Sequence, residues 1–248
     1  MGEQGRIVTL TVTPDEGYDL ATLTVTDKNG NDVALTNNGD GTYSFKMPAS
    51  KVTVKATFIK DFVTLPFIDV HPSDWFYDPV CYVYSQGLMT GTSATTFEPN
   101  THLSRAMLVA VLHRLEGSPA ASGSDFSDVA DGDWYAQAVN WAASVGVVNG
   151  FDDGTFQPNT AITREQMAAI LRNYAAYKGM NVTATGDLAH YTDAASVSDW
   201  AKESVEWAVG SGLIGGYEDS TLRPQGTTTR AEVASVLQRA LGNVAGNQ

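Results

Sequence analysis

One unit occurs three times in this chain, and no other feature restricts the possible folds so strongly. The copies read FIDVHPSDWFYDPVCYVYSQGLMTG from Phe67, FSDVADGDWYAQAVNWAASVGVVNG from Phe126 and YTDAASVSDWAKESVEWAVGSGLIGG from Tyr191. Their register is tight. Trp75, Trp134 and Trp200 precede Arg105, Arg164 and Arg230 by 30 residues in every copy, with Gly87, Gly146 and Gly212 placed 12 residues after each Trp and Pro99, Pro158 and Pro224 placed 24 after. Insertions fall only between copies, in EGSPAASGSD and YKGMNVTATGDLAH.

Each copy reads as helix, turn, helix. The first helix starts near the Trp and is expected to stop at the repeated Gly, which suits the left-handed position after a helix end, with an apolar residue next (Leu88, Val147, Leu213). The second follows the Pro and carries an i, i+3, i+4, i+7 stripe: Leu108, Val111, Leu112, Leu115; Met167, Ile170, Leu171, Tyr174; Val233, Val236, Leu237, Ala240. Two helices of this length cannot enclose a core, so the three stripes are expected to meet around a pseudo-threefold axis. The boundaries expected are 61–117, 118–178 and 179–243 for the repeats, together forming one domain, with a short tail at 244–248.

The first 60 residues differ in kind. RIVTLTVT, LATLTVT, DVALT, TYSFKM and KVTVKATF alternate or are β-branched, and DEGYD, DKNGND and NNGDG between them are turn chemistry. A small antiparallel, sandwich-like β domain of five strands is expected over 1–60, so the chain as a whole is multidomain α+β. Asp27, Asn29 and Asn31 imitate the odd positions of a calcium loop, but Asp32 occupies its glycine position and Asn38 that of its bidentate Glu, so a hairpin turn is the better reading.

Composition limits the function. With 248 residues, 43% hydrophobic, both regions can bury a core. A net charge of −13 leaves no basic stripe, which argues against nucleic acid or an anionic membrane surface as partner, so an anionic ligand must be held locally. The single Cys81 and the scattered His71, His102, His113 and His190 offer no metal cluster, no run reaches membrane-spanning length, and no cofactor motif is present. MGEQG is too short and polar for a signal peptide and strand-like sequence begins at Arg6, which suggests a piece of a larger exported protein.

The arginines pose the sharpest question. Thr163 with Gln166, and Thr229 with Glu232, form capping boxes, while Ser104 can cap without a completing partner at Met107, so Arg105, Arg164 and Arg230 fall at the first helical position. A cation there opposes the helix dipole at a cost of about 0.3 to 1 kcal/mol. Two arrangements would offset it. Each Arg could pair with a carboxylate of a neighbouring copy, for which Asp69, Asp128 and Asp193 are placed, or Arg and helix N–H groups could together hold an anion. Trp75, Trp134 and Trp200 are likewise either packing residues or platforms for a sugar ring. Paired acids such as Asp131 with Asp133 lie in turn sequence and suggest no hydrolase.

The repeats resemble surface-layer homology domains, whose pattern is an aromatic-x-Asp start, a Trp near the first helix, an internal Gly, a G-[YF]-x-D-G-T-F-x-P loop and a T-R-A-E helix start. GFDDGTFQPNTAITREQ, from Gly150 to Gln166, follows that pattern, and GGYEDSTLRPQGTTTRAE supplies an intact TRAE. The resemblance implies a pseudo-trimeric helical domain that binds pyruvylated secondary cell wall polymer in grooves between repeats, the TRAE arginine meeting the pyruvyl carboxylate, and so tethers an exported protein to a Gram-positive-type wall. The β domain is similar to internalin-type bacterial repeats, which suggests a spacer.

The reading that results is a non-enzymatic, extracellular wall anchor. Arg105, Arg164 and Arg230 are expected to bind the acidic sugar, supported by Asp69, Asp128, Asp193, Trp75, Trp134, Trp200, Gly87, Gly146 and Gly212. The first copy departs from the pattern, with GTSATTF in the loop and SRAM at the helix start, so Arg105→Ala is expected to cost less affinity than the same change at Arg164 or Arg230. Two rival readings are a protein–protein module of a surface lattice and the anchor of a polysaccharide-active enzyme whose catalytic domain lies elsewhere.

Overall fold

The computed structural model describes residues 4–15, 18–60, 64–123 and 126–245. It divides into two compact units, Met1–Val63 and Thr64–Gln248.

Among its described residues the first unit contains five strands, β1 (Ile7–Thr11), β2 (Tyr18–Thr26), β3 (Leu35–Asn37), β4 (Thr42–Lys46) and β5 (Thr53–Lys60). They form two antiparallel sheets, ordered β1-β4-β3 and β2-β5. Val25 and Phe45, one from each sheet, are its most buried apolar side chains. The DKNGND segment is a turn. Asp27 Oδ1 accepts from the N–H groups of Asn29 (2.8 Å) and Asn31 (2.9 Å), Asp27 Oδ2 accepts from Asn31 Nδ2, and Gly30 takes φ +84°. The carboxylate that a cation would need is therefore engaged in holding the turn.

The second unit is mainly helical: α1 (Tyr77–Ser85), α2 (Arg105–Leu115), α3 (Ala136–Ser144), α4 (Arg164–Tyr177), α5 (Lys202–Gly210) and α6 (Arg230–Ala245), with short 3₁₀ turns at Ala194–Ser196 and Asp199–Ala201. Among the described residues, five strands followed by six α-helices make the α+β organisation expected from the sequence. The first helix of every repeat ends in the same way. In repeat 1, Leu88 N–H donates to Val83 O and Gly87 N–H to Tyr84 O, with Gly87 at φ +65°; Gly146 and Gly212 repeat both bonds at φ +73° and +70°. These are Schellman ends, which need a residue without a Cβ penalty.

The two helices of one repeat do not pair with each other. The second helix of each repeat lies instead against the first helix of the next: α2 on α3, α4 on α5, and α6 back on α1. The apolar stripes thus face a neighbour, and the last helix closes the ring on the first. At its centre three main-chain bonds run head to tail, from Leu103 N to Thr228 O (3.0 Å), from Thr228 N to Ile162 O (3.0 Å) and from Ile162 N to Leu103 O (2.9 Å). Each repeat gives one donor and one acceptor, so no polar group is left over at the axis. Around them Leu103, Ile162, Leu108, Met167 and Val233 are at most 1% exposed.

Candidate functional site

The three arginines begin α2, α4 and α6 and keep only 5 to 7% of their surface exposed. Each side chain crosses to the loop of the following repeat. Arg105 Nε donates to Phe156 O (2.8 Å), Arg164 Nε to Leu222 O (2.8 Å) and Arg230 Nε to Phe97 O (2.7 Å). Among the described residues none of them forms an ion pair. The offset for a cation at a helix start is therefore a carbonyl and an aromatic face: the guanidinium carbon of Arg105 lies 4.7 Å from the ring centres of both Phe151 and Phe156, that of Arg164 4.9 Å from Tyr217, and that of Arg230 4.4 Å from Phe97. Burial pushes the Arg105 group down to about 10, against the opposing pull of Asp128, so it stays charged at neutral pH, and burial lowers Arg230 as well.

Helix N–H groups do not join in. Arg105 N and Ala106 N donate to Thr160 O and Pro158 O, Arg164 N and Glu165 N to Gly226 O and Pro224 O, and Arg230 N and Ala231 N to Thr101 O and Pro99 O. The third N–H of each helix meets its cap, Ser104, Thr163 or Thr229. The main-chain donors that could have gripped an anion are consumed in joining repeats.

Asp69, Asp128 and Asp193 sit behind the loops. Each accepts two consecutive main-chain N–H groups with its two oxygens: Phe97 and Glu98 for Asp69, Phe156 and Gln157 for Asp128, Leu222 and Arg223 for Asp193, all at 2.7 to 2.9 Å. The second residue of each pair, Glu98, Gln157 or Arg223, has φ between +52° and +56°, and the carboxylate holds it there. These aspartates shape the carbonyl that receives the arginine. Gly87, Gly146 and Gly212 are exposed helix ends and line neither groove described below. Close approach belongs to other glycines, missed in the sequence: a Cβ on Gly91, Gly150 or Gly216 would run into the ring of Phe67, Phe126 or Tyr191.

Trp75, Trp134 and Trp200 are 64%, 62% and 60% exposed, which removes the packing reading for all three. A groove of about 700 Å³ has Arg164 on its floor, the loop Gly215–Asp219 on one side and Trp75 at its edge. A second, of about 610 Å³, holds Arg105, the loop Asn149–Asp152, Gln166, Asn173 and Trp200. Each groove therefore takes its arginine from one repeat, its loop from the next and its tryptophan from the third. The two features on which the expected order rested therefore lie in different grooves. The divergent loop GTSATTF faces Arg230, whose Nη2 donates to Thr90 O (2.6 Å), while Arg105, behind the weaker cap, faces the intact GFDDGTF loop.

Several groove residues escaped the sequence reading. Tyr217 lies between Arg164 and Arg223, whose guanidinium carbon is 4.2 Å from the ring centre, and its hydroxyl donates to Glu232 (2.7 Å). Burial and that carboxylate raise the Tyr217 phenol, which stays protonated. Arg239 donates to Leu213 O and Asn173 to Val147 O from equivalent positions nine residues into the helix. The aromatic of the G-[YF] pattern was the available signal for Phe151 and Tyr217.

The S-layer homology domain model matches residues 66–106, 125–168 and 190–234, the three repeats whose grooves are described above. The chain belongs to the S-layer homology family. Residues 2–61 match the Divergent InlB B-repeat domain. The S-layer homology region is similar to that of Exoglucanase XynX of Acetivibrio thermocellus, 36% identical over 169 residues, which is 66% of this chain and 15% of that protein. It is also similar to the Surface-layer 125 kDa protein of Lysinibacillus sphaericus (31% over 161 residues; 64% and 13%) and to the Cellulosome-anchoring protein of A. thermocellus (28% over 158 residues; 62% and 35%). The chain spans only a minor part of the length of these relatives.

Proposed function

We propose that this protein is an extracellular wall anchor, whose helical unit binds an acidic, pyruvylated cell wall polysaccharide without covalent linkage in the grooves between its repeats. One observation carries the reading: a buried arginine in each repeat is held by main-chain carbonyls and aromatic faces with no carboxylate partner, and in the two grooves described above it opens on a cleft edged by an exposed indole. Such a cation is set to receive an anion, and an indole at 60% exposure offers a flat apolar face to a sugar ring. Relatives named for the surface layer and for cellulosome anchoring support the location. Those named as enzymes match through these repeats, so they supply no catalytic role to this chain, and its own function is tethering. The larger exported protein that would carry it is the cargo.

The test is co-sedimentation of the full chain with purified wall polymer before and after chemical removal of pyruvyl groups. Binding to the intact polymer that disappears on depyruvylation is expected. Equal binding to both, or self-assembly into a lattice without polymer, would overturn it in favour of a protein–protein module.

A further inference from the structure

The three arginines are not equally satisfied. Arg164 uses every nitrogen: Nε on Leu222 O, Nη2 on Gly215 O (2.6 Å) and Nη1 on the Tyr217 hydroxyl (3.4 Å). Arg230 uses two, Nε on Phe97 O and Nη2 on Thr90 O. Arg105 has only its Nε bond to Phe156 O; among the described residues neither Nη1 nor Nη2 has a hydrogen-bond partner, although the residue is only 5% exposed. Phe151, which replaces Tyr217 in this loop, offers no hydroxyl, and it and Phe156 lie against the guanidinium without taking a hydrogen bond from it. Gln166, at the position that Glu232 fills in the third repeat, brings no competing charge. Its Oε1 only accepts from Thr163 N–H.

Neither Nη atom is sealed off as a buried unpaired donor, since among the described residues only Asn140 Oδ1 is in that state; both face the groove, where an entering acceptor can replace their water. Two adjacent coplanar nitrogens without a protein partner match the two oxygens of a carboxylate, whereas Arg230 keeps one such nitrogen and Arg164 none. We infer that the Arg105 groove is the principal receptor of this module and takes a carboxylate in bidentate fashion, the other two grooves being secondary sites. This rests on the wall-polymer reading above and reverses the order that the sequence implies for Arg105. Arg105 also ties the unliganded fold together by fewer hydrogen bonds: its loss leaves one carbonyl without its donor, against two carbonyls and a phenol oxygen for Arg164.

The experiment separates the grooves without disabling any. The full chain, labelled with 5-fluorotryptophan, is titrated with a methyl hexoside bearing a pyruvyl ketal and followed by fluorine NMR, Trp200 reporting the Arg105 groove and Trp75 the Arg164 groove. Binding at Trp200 about tenfold tighter than at Trp75 is expected, consistent with one additional charge-assisted bond. Esterifying the carboxyl should abolish the difference. Equal affinity at the two indoles, or tighter binding at Trp75, would refute the ranking while leaving wall binding intact; no response at either indole would refute the wall-polymer reading itself. A ligand-free measurement tests the same asymmetry. Arg105→Met should lower the melting temperature by about 2 °C or less and Arg164→Met by about 5 °C or more, and the reverse order would overturn the inference.

Discussion

Asp128→Asn isolates the contribution of the carboxylates behind the loops. Asp128 accepts the N–H groups of Phe156 and Gln157, both at 2.8 Å, and the amide that replaces it keeps one acceptor while turning an NH₂ toward the other N–H. One charge-assisted bond is lost and a donor faces a donor. A hydrogen bond to a charged group is worth about 1.5 to 3 kcal/mol, and because Asp128 is only partly buried the lower half of that range applies, about 2 kcal/mol. In a unit of this size that lowers the melting temperature by roughly 4 to 8 °C. Circular dichroism melts of the full chain at neutral pH would measure it, with Asp131→Asn, at an exposed turn residue, as a control expected within about 0.5 kcal/mol of the parent. If Asp128→Asn melts within 1 °C of that control, the aspartate is not what holds Gln157 in its left-handed conformation, and the account of the loop fails. The same change loosens the loop that presents Phe156 O to Arg105 Nε, so ligand affinity should fall with stability.

Gly216→Ala should destabilise by about 1 to 3 kcal/mol in chemical denaturation, since its Cβ would meet the Tyr191 ring and lie 2.9 Å from Thr221 O. Gly212→Ala has open space but φ +70°, so about 1 kcal/mol is expected there. Removing residues 230–248 deletes α6, the partner of α1, and should abolish the cooperative melt of the whole helical unit rather than of its last third. Retention of a sharp transition would contradict a closed ring. At Asp193, burial raises the carboxyl but the N–H groups of Leu222 and Arg223 outweigh it, leaving it below its ordinary 3.8. Stability from a depressed carboxylate is present above the unfolded value and lost as pH falls through the folded one, so melts from pH 6 down to 2.5 should decline below about pH 4, and less steeply for Asp193→Asn.

The parts of the fold legible in the sequence are those set by neighbours along the chain. Stripes such as Met167, Ile170, Leu171 marked the buried face of α4, Thr163 and Gln166 marked its start, and Gly146 marked where α3 stops. A stripe says that a face is buried but carries no record of what covers it. That is why the pairing of α2 with α3, rather than with α1, could not be read, and why Arg105 was matched with the loop of its own copy. Glu165 illustrates the same limit: nothing local distinguishes it from a solvated first-turn acid, yet it is 5% exposed and accepts from both Ser198 N–H and Ser198 Oγ across the repeat boundary.

The placement of a cation at each helix start follows from the ring. Closing three repeats around an axis brings the carbonyls of each Pro-containing turn onto the first N–H groups of the preceding repeat's second helix, as Pro158 O and Thr160 O meet Ala106 N and Arg105 N. Those N–H groups, which ordinarily make a helix start favourable for anions, are thereby neutralised by local dipoles, and the penalty for a guanidinium at that position shrinks. The side chain then reaches the carbonyl of Phe97, Phe156 or Leu222, presented by a loop that an aspartate clamps from behind. An arginine at that point spans two repeats with one hydrogen bond and keeps further donors for a ligand, which a lysine, a point charge without a fixed fork, could not do in the same geometry. Replacing Arg105 by Lys should therefore keep the charge but lose most of the ligand affinity, by about tenfold or more, while leaving the fold intact; a lysine variant that binds a pyruvylated hexoside as well as the parent would show that charge alone, and not the fork, makes the site.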